Sequence, residues 1–153
     1  MLKRWFRYLP AGLILAALTM ALVWIARPHG FLDIMPMEQA TSFYVWTTSG
    51  QGQFYDAHPD REELEPLLEL LEPAKLRLES RNSRIKWDRD EWYFGFSCSR
   101  PEGGGWVEVA GFDLGTDGMV YTYHDRLGTL DYQLTDCDMD AIEAELLRLL
   151  GIS

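Results

Sequence analysis

The sequence predicts an α+β fold: an N-terminal transmembrane helix, then one small antiparallel-sheet domain with two helices packed on one face. Three observations carry this expectation. Residues 9–26 form a charge-free apolar run. Residues 42–135 hold a series of short β-branched and aromatic stretches separated by turn residues at hairpin spacing. Two leucine-rich stretches, near residues 60–73 and 136–150, repeat their apolar positions with a helical period.

The run Leu9–Ala26 has 18 residues. At ~1.5 Å per residue it reaches ~27 Å, enough to cross a hydrocarbon core. Trp5, Phe6 and Tyr8 lie at one end and Trp24 near the other, where aromatic side chains meet lipid headgroups. Pro10 falls in the first turn, where a missing N–H costs little. Lys3, Arg4 and Arg7 precede the run, so the N-terminus is expected in the cytoplasm and the rest of the chain outside a bacterial-type membrane. A cleaved secretory signal needs a shorter apolar core followed by a small-x-small site. The best match, Thr19-Met20-Ala21, lies inside the run, and Arg27-Pro28-His29 follows it. No cysteine stands directly after the run, at a signal cleavage site, to accept lipid. The expected organisation is a cytoplasmic stub and signal-anchor over residues 1–27, a spacer over 28–41, and a single-pass extracytoplasmic domain over 42–153.

The spacer carries Pro28, Gly30 and Pro36, which argue against regular structure. "SFYVWTT", Ser42–Thr48, reads as a strand, and "QFYD" after the "SGQG" turn as a short return strand. Asp60 and Glu63 form a capping box ahead of Leu64, Leu67, Leu68 and Leu71, one apolar stripe of a helix ending near Pro73. Pro66 falls on its solvent face, where the helix is expected to bend. "KLRLE", Lys75–Glu79, alternates as a strand. "SRNSR" follows as a loop, and "IKW" is a candidate return strand. "EWYFGFSCS", Glu91–Ser99, places Trp92, Phe94, Phe96 and Cys98 on one face, and "RPEGGG", Arg100–Gly105, reads as a turn. Trp106–Leu114, Met119–His124 and Thr129–Thr135 complete a meander. The last helix is expected to be capped by a Thr135/Asp138 pattern, with Leu134 and Met139 as a hydrophobic staple and Met139, Ile142, Leu146, Leu149 and Leu150 as its buried stripe.

Charge removes one function class. After residue 30 the chain has 10 basic and 24 acidic side chains, a net charge of −14. Such a domain is repelled by phosphate backbones, so no nucleic acid is expected among its partners. The stretch "FDLGTDGMVYTYHD", Phe112–Asp125, invites comparison with a calcium loop. Asp113, Asp117 and Gly118 match its positions 1, 5 and 6. Gly115 at position 3 and His124 at position 12 supply no carboxylate, and strands rather than helices flank it. A hairpin with Asp117-Gly118 at its turn accounts for more of the residues. Met119, Tyr121 and Tyr123 then alternate with Val120 and Thr122. If the tyrosines face outward, "MVYTY" is the best binding surface in the chain.

The histidines, His29, His58 and His124, show no metal-ligand spacing. The His58-Pro59-Asp60 tripeptide also occurs in J-domain co-chaperones, but a strand before it and an acidic helix after it do not fit, and helix capping explains it. No nucleophile elbow or phosphate loop is present, so no catalytic, cofactor-binding or metal-ligating residue is assigned. Cys98 and Cys137 are read as two thiols, a bridge being the second option; on a helical wheel Cys137 points away from the apolar stripe. Lys75, Arg77, Arg81, Arg84, Lys86 and Arg89 fall within 15 residues. They either complement the domain's own acids or, with Trp87, form a docking ridge for an acidic partner or anionic wall polymer.

The expected function is a membrane-anchored binding or accessory module for a protein or cell-envelope partner, held to the lipid bilayer through residues 9–26. The alternatives are a small-ligand sensor or carrier with an aromatic cavity between sheet and helices, and a hydrolase whose residues converge only in the fold.

Overall fold

A computed structural model describes residues 9–48, 52–81, 93–124 and 128–152. The chain runs through helix α1 (Leu9–Ala26), strand β1 (His29–Gly30), a helical turn α2 (Phe31–Ile34), a 3₁₀ turn (Met37–Gln39) and strands β2 (Ser42–Thr48) and β3 (Phe54–Ala57). Helix α3 (Arg61–Leu71) and strand β4 (Lys75–Arg81) follow, then β5 (Tyr93–Glu102), β6 (Gly105–Gly115), β7 (Met119–His124), β8 (Gly128–Thr135) and helix α4 (Met139–Leu149). The eight strands form one sheet in the order β1-β4-β8-β7-β6-β5-β2-β3, antiparallel at every step. The α+β expectation holds.

Strand alternation assigns the two faces. Phe43 and Val45 of β2, Phe94, Phe96 and Cys98 of β5, Phe112 and Leu114 of β6, and Val120, Leu134 and Leu76 all point to one side. They share a single buried cluster with Leu64, Leu67 and Leu71 of α3 and Ile142 and Leu146 of α4. The rings interlock: Phe96 stacks on Phe112 at 4.5 Å, and Phe31 meets Phe112 edge-on at 5.3 Å. Each fully buried side chain of this kind contributes roughly 1.5–3 kcal/mol relative to exposure. The layer is held from its ends as well. In α3 the Asp60 carboxylate accepts from the Glu63 N–H at 2.9 Å, and the Glu63 carboxylate accepts from the Asp60 N–H at 3.0 Å, the predicted capping box. Pro66 lies within α3 on its exposed side. Arg148 of α4 donates to the Glu63 carbonyl at 3.0 Å and joins the two helices.

Four local expectations change. Residues 28–41, read as a spacer, form β1, α2 and the 3₁₀ turn, and Phe31, Met35, Met37 and Ala40 are buried in the core. A short amphipathic turn packs here without the length that periodicity needs to register. The supposed turn Arg100–Gly105 is mostly strand: β5 runs to Glu102 and only Gly103-Gly104 turns, both at positive φ, 59° and 88°. Two positive φ values in a row fit a two-residue hairpin, and Pro101 is tolerated because no third strand among the described residues needs its missing N–H. The cap of α4 is Asp138, which accepts from the Ala141 N–H at 3.1 Å; Thr135 instead ends β8 and donates to the Lys75 carbonyl. Asp117 keeps negative φ. Gly118 alone is at positive φ, its N–H bonds to the Gly115 carbonyl, and the Asp117 carboxylate accepts from the Met119 N–H at 2.9 Å. The candidate return strand "IKW" and Trp92 lie outside the described residues.

Helix α1 is 18 residues long, and its described side chains, Leu13 to Val23, are all exposed. Among the described residues no helix is long and apolar enough to cross a membrane, so the structure does not support the expected transmembrane helix over residues 9–26.

Candidate functional site

The second face of the sheet carries a different set of residues. Strand pairing places Asp56, Trp46, Gly95, Asp113, Tyr121 and Asp131 in one row across β3, β2, β5, β6, β7 and β8. These positions are opposite in parity to the core residues, so they point away from α3 and α4.

The row is built around a glycine. A Cβ on Gly95 would come within 2.0 Å of the Trp46 indole, so the ring lies directly on the Gly95 backbone. Only a residue without a side chain permits that approach. Trp46 stacks on Tyr44 at 5.1 Å, and the other neighbour of Tyr44 is His58, stacked at 4.7 Å. The Tyr44 phenol is raised in pKa, first by desolvation and then by the Asp56 charge and its hydrogen bond to Asp56. Desolvation also raises the Asp113 carboxyl. Asp131 is fully buried and keeps contacts of its own. Tyr121 is half-buried between these two aspartates, while its neighbour Val120 is buried in the core. The "MVYTY" strand therefore turns Tyr121 to the face opposite α3 and α4; the side chains of Tyr123 and His124 lie outside the described residues.

An indole, phenols, an imidazole and desolvated carboxyl groups suit recognition by stacking and hydrogen bonding. Covalent chemistry is not set up in the same place. Cys98 faces the opposite, helix side, and burial followed by the Glu108 charge pushes its thiol up to about 12, leaving little thiolate at neutral pH. The Cys137 thiol is raised by burial and then by Asp136 and Asp138. Both cysteines are free.

The remaining sequence candidates separate. His58 belongs to the aromatic stack, Pro59 is buried, and Asp60 caps α3. His29 lies in β1 at the far edge. Of the basic ridge, Lys75 pairs with Asp136 at 2.8 Å and Arg77 with Glu79 at 2.7 Å, both exposed. Those two charges complement the domain's own acids; the side chain of Arg81, and Arg84, Lys86, Trp87 and Arg89, lie outside the described residues. Asp117, the calcium candidate, binds its own turn, while Asp113 sits in mid-strand. Among the described residues no group of three His, Cys, Asp or Glu side chains is placed to hold a metal ion. A shallow depression between the end of α3 and the start of α4 is lined by Glu69, Asp136, Asp138 and Asp140 around Cys137.

Sequence reading missed the pairing of Trp46 with Gly95 and the register that sets Asp113 and Asp131 on either side of Tyr121. A signal existed. Glycine inside a strand marks close backbone approach, and aspartate is depleted from strands. "YFGFS", "GFDLG" and "TLDYQ" each place such a residue in mid-strand. Comparison of the chain with family models, with curated proteins and with solved structures finds no match.

Proposed function

We propose that the chain is a membrane-anchored extracytoplasmic binding or accessory module, and that its sheet face opposite α3 and α4 meets a protein or cell-envelope partner. The observation that carries the reading is the row Trp46–Gly95–Asp113–Tyr121. It concentrates aromatic surface and a desolvated carboxyl on the side of the sheet away from α3 and α4. A structural sheet face is cheaper to build from small polar residues, so ionisable groups held away from water on that side favour recognition. The charge-free Leu9–Ala26 run and the preceding Lys3, Arg4 and Arg7 support the anchor and its orientation.

The sensor alternative needs a cavity between sheet and helices. Stacked and edge-on contacts among Phe31, Phe96 and Phe112 occupy that layer, which favours the opposite face of the sheet instead.

The test is site-specific photo-crosslinking in intact membranes. A photoreactive residue at Tyr121 is expected to capture a discrete partner, and one at Glu69 on the exposed side of α3 is not. Capture from Glu69 alone, or the same products from both, would place the contact elsewhere. The orientation fails if a reporter fused after Ser153 remains cytoplasmic.

A further inference from the structure

The two outer edges of the β5–β6 hairpin end are built differently. Strand β2 flanks β5 only as far as Ser99, and β7 flanks β6 only along Phe112–Leu114. Among the described residues, Gly105–Glu108 of β6 therefore has β5 on one side and no strand on the other. The β5 edge is guarded. Pro101 has no N–H to donate, and Arg100 and Glu102 place a charge pair along it at 3.2 Å. Prolines and charges of this kind keep further strands from adding. The β6 edge carries Trp106, 66% exposed, and Val107, 43% exposed, with Glu108 as its one charge and no proline.

Hairpin geometry identifies the unused backbone groups. Gly103-Gly104 is a two-residue loop, so the flanking pair Glu102–Gly105 exchanges both of its hydrogen bonds, and bonded and non-bonded pairs then alternate. Pro101–Trp106 and Ser99–Glu108 fall at non-bonded positions, the kind that a proline fits. Trp106 and Glu108 thus direct N–H and C=O away from β5. The register shift after Cys98 leaves Val109 as an extra residue and ends the stretch.

Outward N–H and C=O groups in a row are complementary to another extended backbone. Charge then selects among extended segments. After residue 30 the chain has a net charge of −14, so a second copy is repelled and a basic segment is attracted. We infer that the Trp106–Glu108 edge takes an extended basic segment of a partner protein as an added strand. Trp106 and Glu108, two residues apart, share a face. The segment alternates basic side chains, beside Glu108 and the Trp106 ring, with apolar ones against Val107. This deepens the binding-module reading above by naming the partner's chemistry.

The test measures amide exchange at Trp106 and Glu108 in the full chain, held in a neutral detergent. The probe is a short peptide of alternating lysine and valine, and the control alternates glutamate and valine. Without peptide both amides are expected to exchange fast. The lysine–valine peptide is expected to slow them several-fold and the control to leave them unchanged, and Glu108→Lys is expected to reverse that preference. Fast exchange under the lysine–valine peptide, or equal slowing by both peptides, overturns the inference. Slow exchange before any peptide is added also overturns it: if dilution relieves it, a second copy holds the edge, and if not, the chain covers the edge itself. Failure here alongside discrete capture from Tyr121 leaves the sheet-face reading standing. Slowed exchange without that capture supports the edge and moves the contact there.

Discussion

The two faces of the sheet are made by the same strands and obey different rules. On the helix side, β5 contributes Phe94, Phe96 and Cys98, all buried among Leu64, Leu67 and Ile142. One residue over, the same strand contributes Gly95 and Ser97 to the other side, where Trp46 lies flat on the glycine. The first face is filled by volume, and its residues are exchangeable for others of similar size. The second is organised by one close contact and several polar groups that packing does not require. The difference separates what holds the protein together from what is available for recognition.

That contrast can be broken or sharpened by substitution, starting with the largest effect. Phe96→Ala removes a ring stacked on Phe112 inside the core. It is expected to cost ~3–5 kcal/mol in urea unfolding. A loss under about 1 kcal/mol would mean that the helix side is not the core. Gly95→Ala comes next. The new methyl collides with the Trp46 indole and displaces it, at about 1–3 kcal/mol. In a Trp46→Ala background the same change should be nearly neutral, and a double-mutant cycle measures the coupling. Additive losses would show that Gly95 serves the backbone rather than the indole.

Asp60→Ala removes the acceptor for the Glu63 N–H and is expected to cost about 1 kcal/mol. It loosens the helix layer that makes the two faces unlike, and should leave crosslinking from Tyr121 intact. Asp113→Asn is the smallest and the most diagnostic. Burial raises the Asp113 carboxyl above its ordinary 3.8. As pH rises above that value the unfolded chain releases this proton first, so the folded protein loses stability with rising pH until its own carboxyl ionises. Asparagine removes that loss. The variant should therefore gain on the parent at pH 7 but not at pH 3.5, in urea midpoints, while losing partner capture. An unchanged pH profile would mean that Asp113 is well solvated and the face is ordinary surface.

Local signals were readable to different depths. The capping box at Asp60 and Glu63 and strand β2 at Ser42–Thr48 appear where the sequence places them, because capping and alternation act within a few residues. The Gly115–Gly118 turn was legible as a turn; Gly118 alone in it takes positive φ, and the Asp117 carboxylate serves the Met119 N–H. The β5–β6 hairpin end at Arg100–Val107 was hidden for a different reason. Pro101 and three successive glycines are turn-like in composition, yet a two-stranded extension that no third strand joins among the described residues accommodates them. Asp113 and Asp131 stood out in mid-strand, but only strand pairing sets them on either side of Tyr121.

By itself, then, the sequence determined the elements, the helix stripes and the apolar N-terminal run, since each depends on residues near one another along the chain. Tertiary structure decided which residues share a face across non-neighbouring strands. It drew Phe31, Met35 and Met37 out of an apparent spacer into the core, laid Trp46 on Gly95, and left Trp106 exposed at the end of the β5–β6 hairpin. Strand order and register set those relations, and register is fixed by packing that no short window of sequence contains.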